Sequence, residues 1–119
     1  MNTKHVTSLE ISKQLAEARI VIESEYVWCH GDLIPVINVI LETTKSDIFP
    51  APIATELLER LPPLLAGLKF QVNRLPKGEY WVSYDTFSDE VVDSYLETNQ
   101  SLPDALALLL IRLTKDGLI

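Results

Sequence analysis

The sequence predicts an α+β domain, an antiparallel, hairpin-built sheet with helices packed on it, in the order α-ββ-α-ββ-(α)-α. Three observations carry that prediction. Ser101 to Ile119 holds a helix start, an apolar helix body and a helix stop in one stretch. Leu68 to Tyr84 alternates apolar and polar residues on both sides of a Pro-Lys-Gly turn, the period-two signature of a hairpin. Apolar residues at spacings of three and four recur in Ile11 to Ala18 and in Ile53 to Leu61, the stripe of a helix with one face on a core.

The chain of 119 residues predicts a single domain spanning 1–119. At that size folding buries roughly two-thirds of the surface the unfolded chain exposes. Hydrophobic residues at 47% and charged residues at 23% are a globular composition. One cysteine, Cys29, allows no disulfide within the chain and points to a reducing cytoplasm. The opening MNTKHVTSLEIS lacks the apolar core of a signal peptide. The longest apolar run, Ala105 to Ile111, has seven residues, against about twenty for a membrane span, so a soluble protein is expected.

The net charge of −7 is unevenly placed. From Gly78 to Ile111 there are seven acids (Glu79, Asp85, Asp89, Glu90, Asp93, Glu97 and Asp104) and no Lys or Arg. The remaining ten acids and ten bases cancel, so this one stretch carries the whole net charge. Direct nucleic-acid binding is disfavoured, because phosphate contacts need clustered Lys and Arg. An acidic stretch serves either as a solvated rim or as a face for a basic partner.

Taken in order, Thr7-Ser8-Leu9-Glu10 fits a capping box with Thr7 as cap, and predicts a helix over about Ser8 to Ala18. The β-branched Ile20-Val21-Ile22 and the aromatic Glu25 to Cys29 are strand-forming. His30-Gly31-Asp32 is a turn, with Leu33 to Leu41 as the returning strand. Pro35 places that strand on an edge or delays its start. Ile37, Val39 and Leu41 fall on one face of it and Val36 and Ile40 on the other. A strand apolar on both faces needs two covers, and a second copy of the chain through Leu33–Leu41 is one such cover. A monomer at high concentration in sedimentation would exclude that homodimer.

Pro52 suits the first position of the next helix, whose stripe is Ile53, Leu57, Leu58 and Leu61. Pro62-Pro63 end it, with Leu64-Leu65 as one further helical turn. In the second hairpin the expected inward set is Leu68, Phe70, Val72, Tyr80, Val82 and Tyr84, with Trp81 as the competing buried member. Thr86 to Gln100 is read as a short helix from Ser88, with Val92, Tyr95 and Leu96 at helical spacing. A strand through Glu90-Val91-Val92 competes with it. The last helix is predicted over Leu102 to Lys115, about 21 Å long, with Ser101 and Asp104 as a capping box and Gly117 as the left-handed stop.

Little in the chain carries recognisable chemistry. His5 falls in an N-terminus expected to fray, and His30 lies beside Cys29. On a strand adjacent side chains face opposite ways, which suits neither a zinc site nor a nucleophile–base pair. Asp85, Asp89, Glu90 and Asp93 lack the alternating acidic loop with a central glycine that binds calcium. Four scattered glycines build no phosphate loop, and no Gly-x-Ser-x-Gly elbow occurs. The expectation is no enzyme activity, no cofactor and no metal. The aromatics Tyr26, Trp28, Tyr80, Trp81 and Tyr84 fall on predicted strands without interleaved bases, which favours packing over base stacking.

The order of pieces resembles small uncharacterised proteins encoded in bacteriophage and prophage genomes. The likeness rests on TSLEISKQLAEA, ESEYVW, LLERLP, KGEYWVSYD and the ending SLPDALALLLIRLTKDGLI. Arg19 departs from it, standing where a glycine would more comfortably end the first helix. The resemblance implies a genomic setting and no site residues. With the charge distribution, it leads to the expectation of a protein-binding accessory module whose contact residues are Asp85, Asp89, Glu90, Asp93 and Glu97. The alternative expectation is an acidic nucleic-acid mimic occupying the basic cleft of a DNA-binding protein, with a small enzyme third.

Overall fold

Helix α3 (Leu102–Lys115) has the bounds its sequence predicts, because its start and stop signals act within one turn. Ser101 Oγ accepts from the Asp104 amide at 3.4 Å, and Pro103 sits in the first turn, where its missing N–H leaves nothing unpaired. At the other end Gly117 has φ +73°. The amides of Gly117 and Leu118 donate to the carbonyls of Thr114 and Leu113 at 3.1 and 3.0 Å, closing a left-handed stop.

The computed structural model describes residues 5–35, 48–65, 68–85 and 95–119. Ahead of α3 run α1 (Leu9–Glu17), β1 (Tyr26–Cys29), β2 (Asp32–Pro35), β3 (Ile48–Pro50) and α2 (Ala54–Leu58), then β4 (Leu64–Leu65), β5 (Leu68–Arg74), β6 (Tyr80–Asp85) and β7 (Tyr95–Asn99). The fold is α+β and its sheets are antiparallel and hairpin-built, as the sequence predicts. The strands form two sheets where one was expected: three strands ordered β2-β1-β3, and four ordered β4-β5-β6-β7. The core lies between the four-stranded sheet and the helices. Ala105, Leu106, Leu109, Leu110 and Leu113 of α3 meet Val82 and Tyr84 of β6, Leu15 of α1, Leu57, Leu61, Ile20 and Ile22. Among the described residues no helix is long and apolar enough to cross a membrane.

Two caps differ from expectation, for one reason. The N-cap of α1 is Ser8, whose Oγ accepts from the Ile11 amide at 3.3 Å, and not Thr7. Thr7 is buried instead, its Oγ1 2.6 Å from Ser12 Oγ and its carbonyl accepting the Trp28 indole N–H at 2.9 Å. Its amide donates to the Pro52 carbonyl at 3.0 Å. Thr7 thus ties α1 to β1 and to the segment before α2, satisfying each polar group it buries. The shifted cap leaves the Ser8 amide seeking an acceptor, and Asp104 supplies one at 2.7 Å. Asp104 therefore does not reach back to Ser101, whose amide donates to Asn99 Oδ1 at 2.9 Å.

Arg19 ends α1 in the left-handed region with φ +61°. The Arg19 and Ile20 amides donate to the Ala16 and Leu15 carbonyls, both at 3.0 Å, the same stop as in α3 but with a β-carbon in place. Because glycine adopts this φ without steric cost, Arg19→Gly is expected to raise unfolding stability by about 0.5–1 kcal/mol, net of the glycine's greater freedom when unfolded. A denaturant midpoint that stays put or falls in this variant would show that the arginine side chain contributes more than its backbone strain costs.

Past the stop, Ile20 to Ile22 joins no ladder, yet its alternation is used: Ile20 and Ile22 are buried and Val21 is 73% exposed. Cys29 pairs with Asp32, so His30 (φ +51°) and Gly31 (φ +84°) form the two-residue turn with both φ positive that tight hairpins favour. Pro35 lies on β2, an edge strand, as expected. The remainder of Leu33–Leu41, with both of its apolar faces, lies outside the described residues.

Helix α2 starts at Ala54 and not at Pro52; the Ile53 amide donates to Glu56 Oε1 at 2.9 Å. In so short a helix the apolar stripe narrows, with Leu57 and Leu61 buried and Leu58 exposed. Leu64-Leu65, expected as a helical turn, pairs with β5 as β4.

In the second hairpin Phe70 lies opposite Tyr84 and Val72 opposite Val82. Leu68, Phe70, Val82 and Tyr84 pack on the core, whereas Val72 is 41% exposed and Tyr80 half-buried. Trp81, on the opposite face, is half-buried with its indole nitrogen covered. The Tyr84 hydroxyl donates to the Pro62 carbonyl at 2.6 Å, and burial pushes its pKa up to about 12. Tyr95–Asn99 is a strand where the predicted helix would have ended, because pairing with β6 (Tyr84 with Tyr95, Val82 with Glu97) overrides local spacing. The rest of that predicted helix, and the competing strand through Glu90-Val91-Val92, lie outside the described residues.

Candidate functional site

The acidic stretch is anchored on the four-stranded sheet. β6 ends at Asp85 and β7 begins at Tyr95, which pairs with Tyr84, so the chain leaves and re-enters the sheet at one end. Asp89, Glu90 and Asp93 fall between these anchors, outside the described residues. Glu97 is half-buried on β7, its Oε1 3.7 Å from Arg112 Nη1 of α3. The same guanidinium nitrogen donates to the Leu96 carbonyl at 3.3 Å.

Asp104, the last acid of the stretch, is 8% exposed. Burial raises its pKa, partly offset by hydrogen bonds from the Ser8 amide and hydroxyl, and nearby Glu10 raises it further. Its carboxylate acts as a tether between the start of α3 and the start of α1, so it is withdrawn from any outward face.

Cys29 is half-buried at the end of β1 and His30 is exposed on the turn. His5 is not frayed: its ring meets that of Tyr26 edge-on, with centroids 5.2 Å apart. Among the described residues no three His, Cys, Asp or Glu side chains gather at one point. Of the aromatics singled out by the sequence, Tyr26 and Trp28 stand on β1, and Tyr80, Trp81 and Tyr84 on β6.

Two hollows among the described residues stand out by their linings. A polar cleft of about 550 Å³ opens between the β5–β6 turn and the start of α3, lined by Arg74, Lys77, Tyr80, Asn99 and Ser101. The Arg74 guanidinium lies over the Tyr80 ring, 5.8 Å from its centroid. A smaller, apolar cavity of about 150 Å³ lies beside the C-terminal half of α1, walled by Leu15, Ile20, Ile22, Pro50 and Pro52, with Arg19 among its lining residues. Comparison with protein-family models, curated proteins and solved structures finds no match. The chemistry of the chain's own surface therefore carries the functional reading.

The residues predicted for partner contact are only partly drawn together: Asp85 and Glu97 lie on adjacent paired strands, and Glu97 is engaged with α3. The two hollows escaped sequence reasoning. Arg19 is conspicuous as a non-glycine helix stop, but the prolines that wall its cavity come from β3 and beyond, and only the fold brings them near.

Proposed function

We propose that this chain is a non-enzymatic accessory module of the bacteriophage and prophage type, acting inside a host bacterial cell by binding a basic protein partner. Its contact residues are Asp85, Asp89, Glu90, Asp93 and Glu97. The observation that carries this reading is the segregation of charge: seven acids and no base from Gly78 to Ile111 in a chain otherwise neutral. Like charges gathered on one stretch repel one another, and a partner of opposite sign relieves that repulsion and is steered by it. The pairing of β6 with β7 supports the reading, since it fixes both ends of the acidic segment on the rigid sheet.

Mimicry of nucleic acid is the poorer reading. Seven acids are few for imitating the phosphate rows of a duplex, and one of them, Asp104, is buried against Ser8. A second copy of the chain, joined through Leu33–Leu41, is compatible with a protein-binding role and would double the acidic face.

The test is affinity capture from a bacterial lysate at low and high salt, with the wild type and with Asp89, Glu90 and Asp93 reversed to lysine together. Capture of a basic protein is expected to fall tenfold or more in the variant, and to weaken for the wild type as salt rises. Binding indifferent to both salt and charge reversal would show that this face is not the contact.

A further inference from the structure

The apolar cavity beside α1 is a surface feature independent of the acidic face. Leu15, Ile20, Ile22 and Pro52 are buried and form its walls with Pro50. Ser12 also lines it, but its hydroxyl lies 2.6 Å from that of Thr7 and is already engaged. A space of about 150 Å³ lined this way accepts one compact apolar group, such as a single aromatic ring.

The rim is charged. Arg19 lines this cavity and also the adjoining cleft that contains Arg60. Arg60 Nη1 donates to the Val21 carbonyl at 2.7 Å, which holds the cavity's outer wall in place. Among the described residues no carboxylate pairs with the Arg19 guanidinium. The residue keeps a left-handed backbone (φ +61°) that glycine would adopt more easily, so the fold carries strain at a position that keeps an exposed arginine among the residues lining an apolar hollow. An apolar cavity with an exposed arginine among its lining residues complements a ligand having an apolar body and an anionic end.

We propose that this cavity binds a small organic carboxylate with a compact apolar body, the body seated on Leu15, Ile20 and Pro50 and the carboxylate on Arg19. A guanidinium–carboxylate pair at the rim makes the ionised acid the preferred guest over a neutral molecule of the same shape.

The probes are phenylacetate and its neutral isostere phenylacetamide, titrated into the full chain and followed by calorimetry and amide chemical shifts. Wild-type protein is expected to bind phenylacetate saturably, about tenfold or more tightly than phenylacetamide. Arg19→Gly, which relieves backbone strain and so keeps the fold, is expected to erase that preference while still binding phenylacetamide. Ala16→Phe, which adds a ring at a position lining the cavity, is expected to abolish binding of both. No saturable phenylacetate binding by the wild type at millimolar concentration would overturn the proposal. An undiminished preference for the acid in Arg19→Gly would do the same, as would unchanged binding in a folded Ala16→Phe variant.

Discussion

Leu109→Asp is expected to leave the chain without a cooperative unfolding transition at any temperature. Leu109 is fully buried at the centre of α3, in the cluster shared with Val82, Tyr84, Leu57 and Leu15. A carboxylate there meets only apolar side chains among the described residues of the core cluster, and a buried unpaired charge costs more than about 4–5 kcal/mol. That is comparable with the whole stability of an ordinary domain, about 5–15 kcal/mol. Leu109→Ala, which leaves only a cavity, is expected to cost about 2–5 kcal/mol and to keep the fold. Circular dichroism melts and gel filtration of the two variants distinguish charge burial from simple loss of packing. A soluble Leu109→Asp protein with a sharp melt would show that α3 is not the central support.

Asp104→Ala is expected to destabilise the domain by about 1–3 kcal/mol, because it strips the half-buried Ser8 amide of its acceptor. Asp104→Asn keeps an acceptor oxygen without the charge, and should stay within about 1 kcal/mol of the wild type. The two proteins differ in their response to pH. Burial raises the Asp104 pKa above its ordinary value of 3.8, so between those two values the folded state holds more protons than the unfolded state. Stability from this group is therefore fully present below 3.8 and is lost as pH rises through the folded pKa. The stability of Asp104→Asn relative to wild type should accordingly grow from acid toward neutral pH. Denaturant unfolding of both proteins across that range measures it; a flat difference would mean that folding leaves the carboxyl pKa unchanged, and one that shrinks with rising pH that the carboxylate is favourably held as an anion.

What the sequence made legible follows the range of the forces involved. The bounds of α3 and the two hairpin turns were readable because Ser101, Gly117, Gly31 and Gly78 act on neighbours within one turn of chain. Alternation pointed to the Val82 and Tyr84 side of β6 but left Trp81 of the other face as a competitor, which only the packing on the core decides. Asp104 was misread because its partner, Ser8, is 96 positions away and looks locally like an ordinary second residue of a cap. Tyr95–Asn99 was misread because Tyr-Leu-Glu-Thr-Asn has no apolar alternation of its own and becomes a strand only against β6. The split into two sheets was equally invisible, since it depends on β3 pairing with β1 across a long gap in sequence. Of the acidic residues proposed for partner contact the sequence supplied the charge, while the engagement of Glu97 with Arg112 came only with the packing of α3 against β7.

The guanidinium of Arg112 has a bearing on how the molecule behaves in a crowd. β7 is an outer strand of its sheet, and a free outer strand recruits strands from other chains into fibrous stacks. Here one carbonyl of that strand is already occupied by Arg112 at 3.3 Å, and the neighbouring Glu97 is drawn to the same cation. A side chain sent out from the helix that fills the core thus blunts the sheet margin against self-propagating growth. The element that gives the domain its interior also guards it from its own copies.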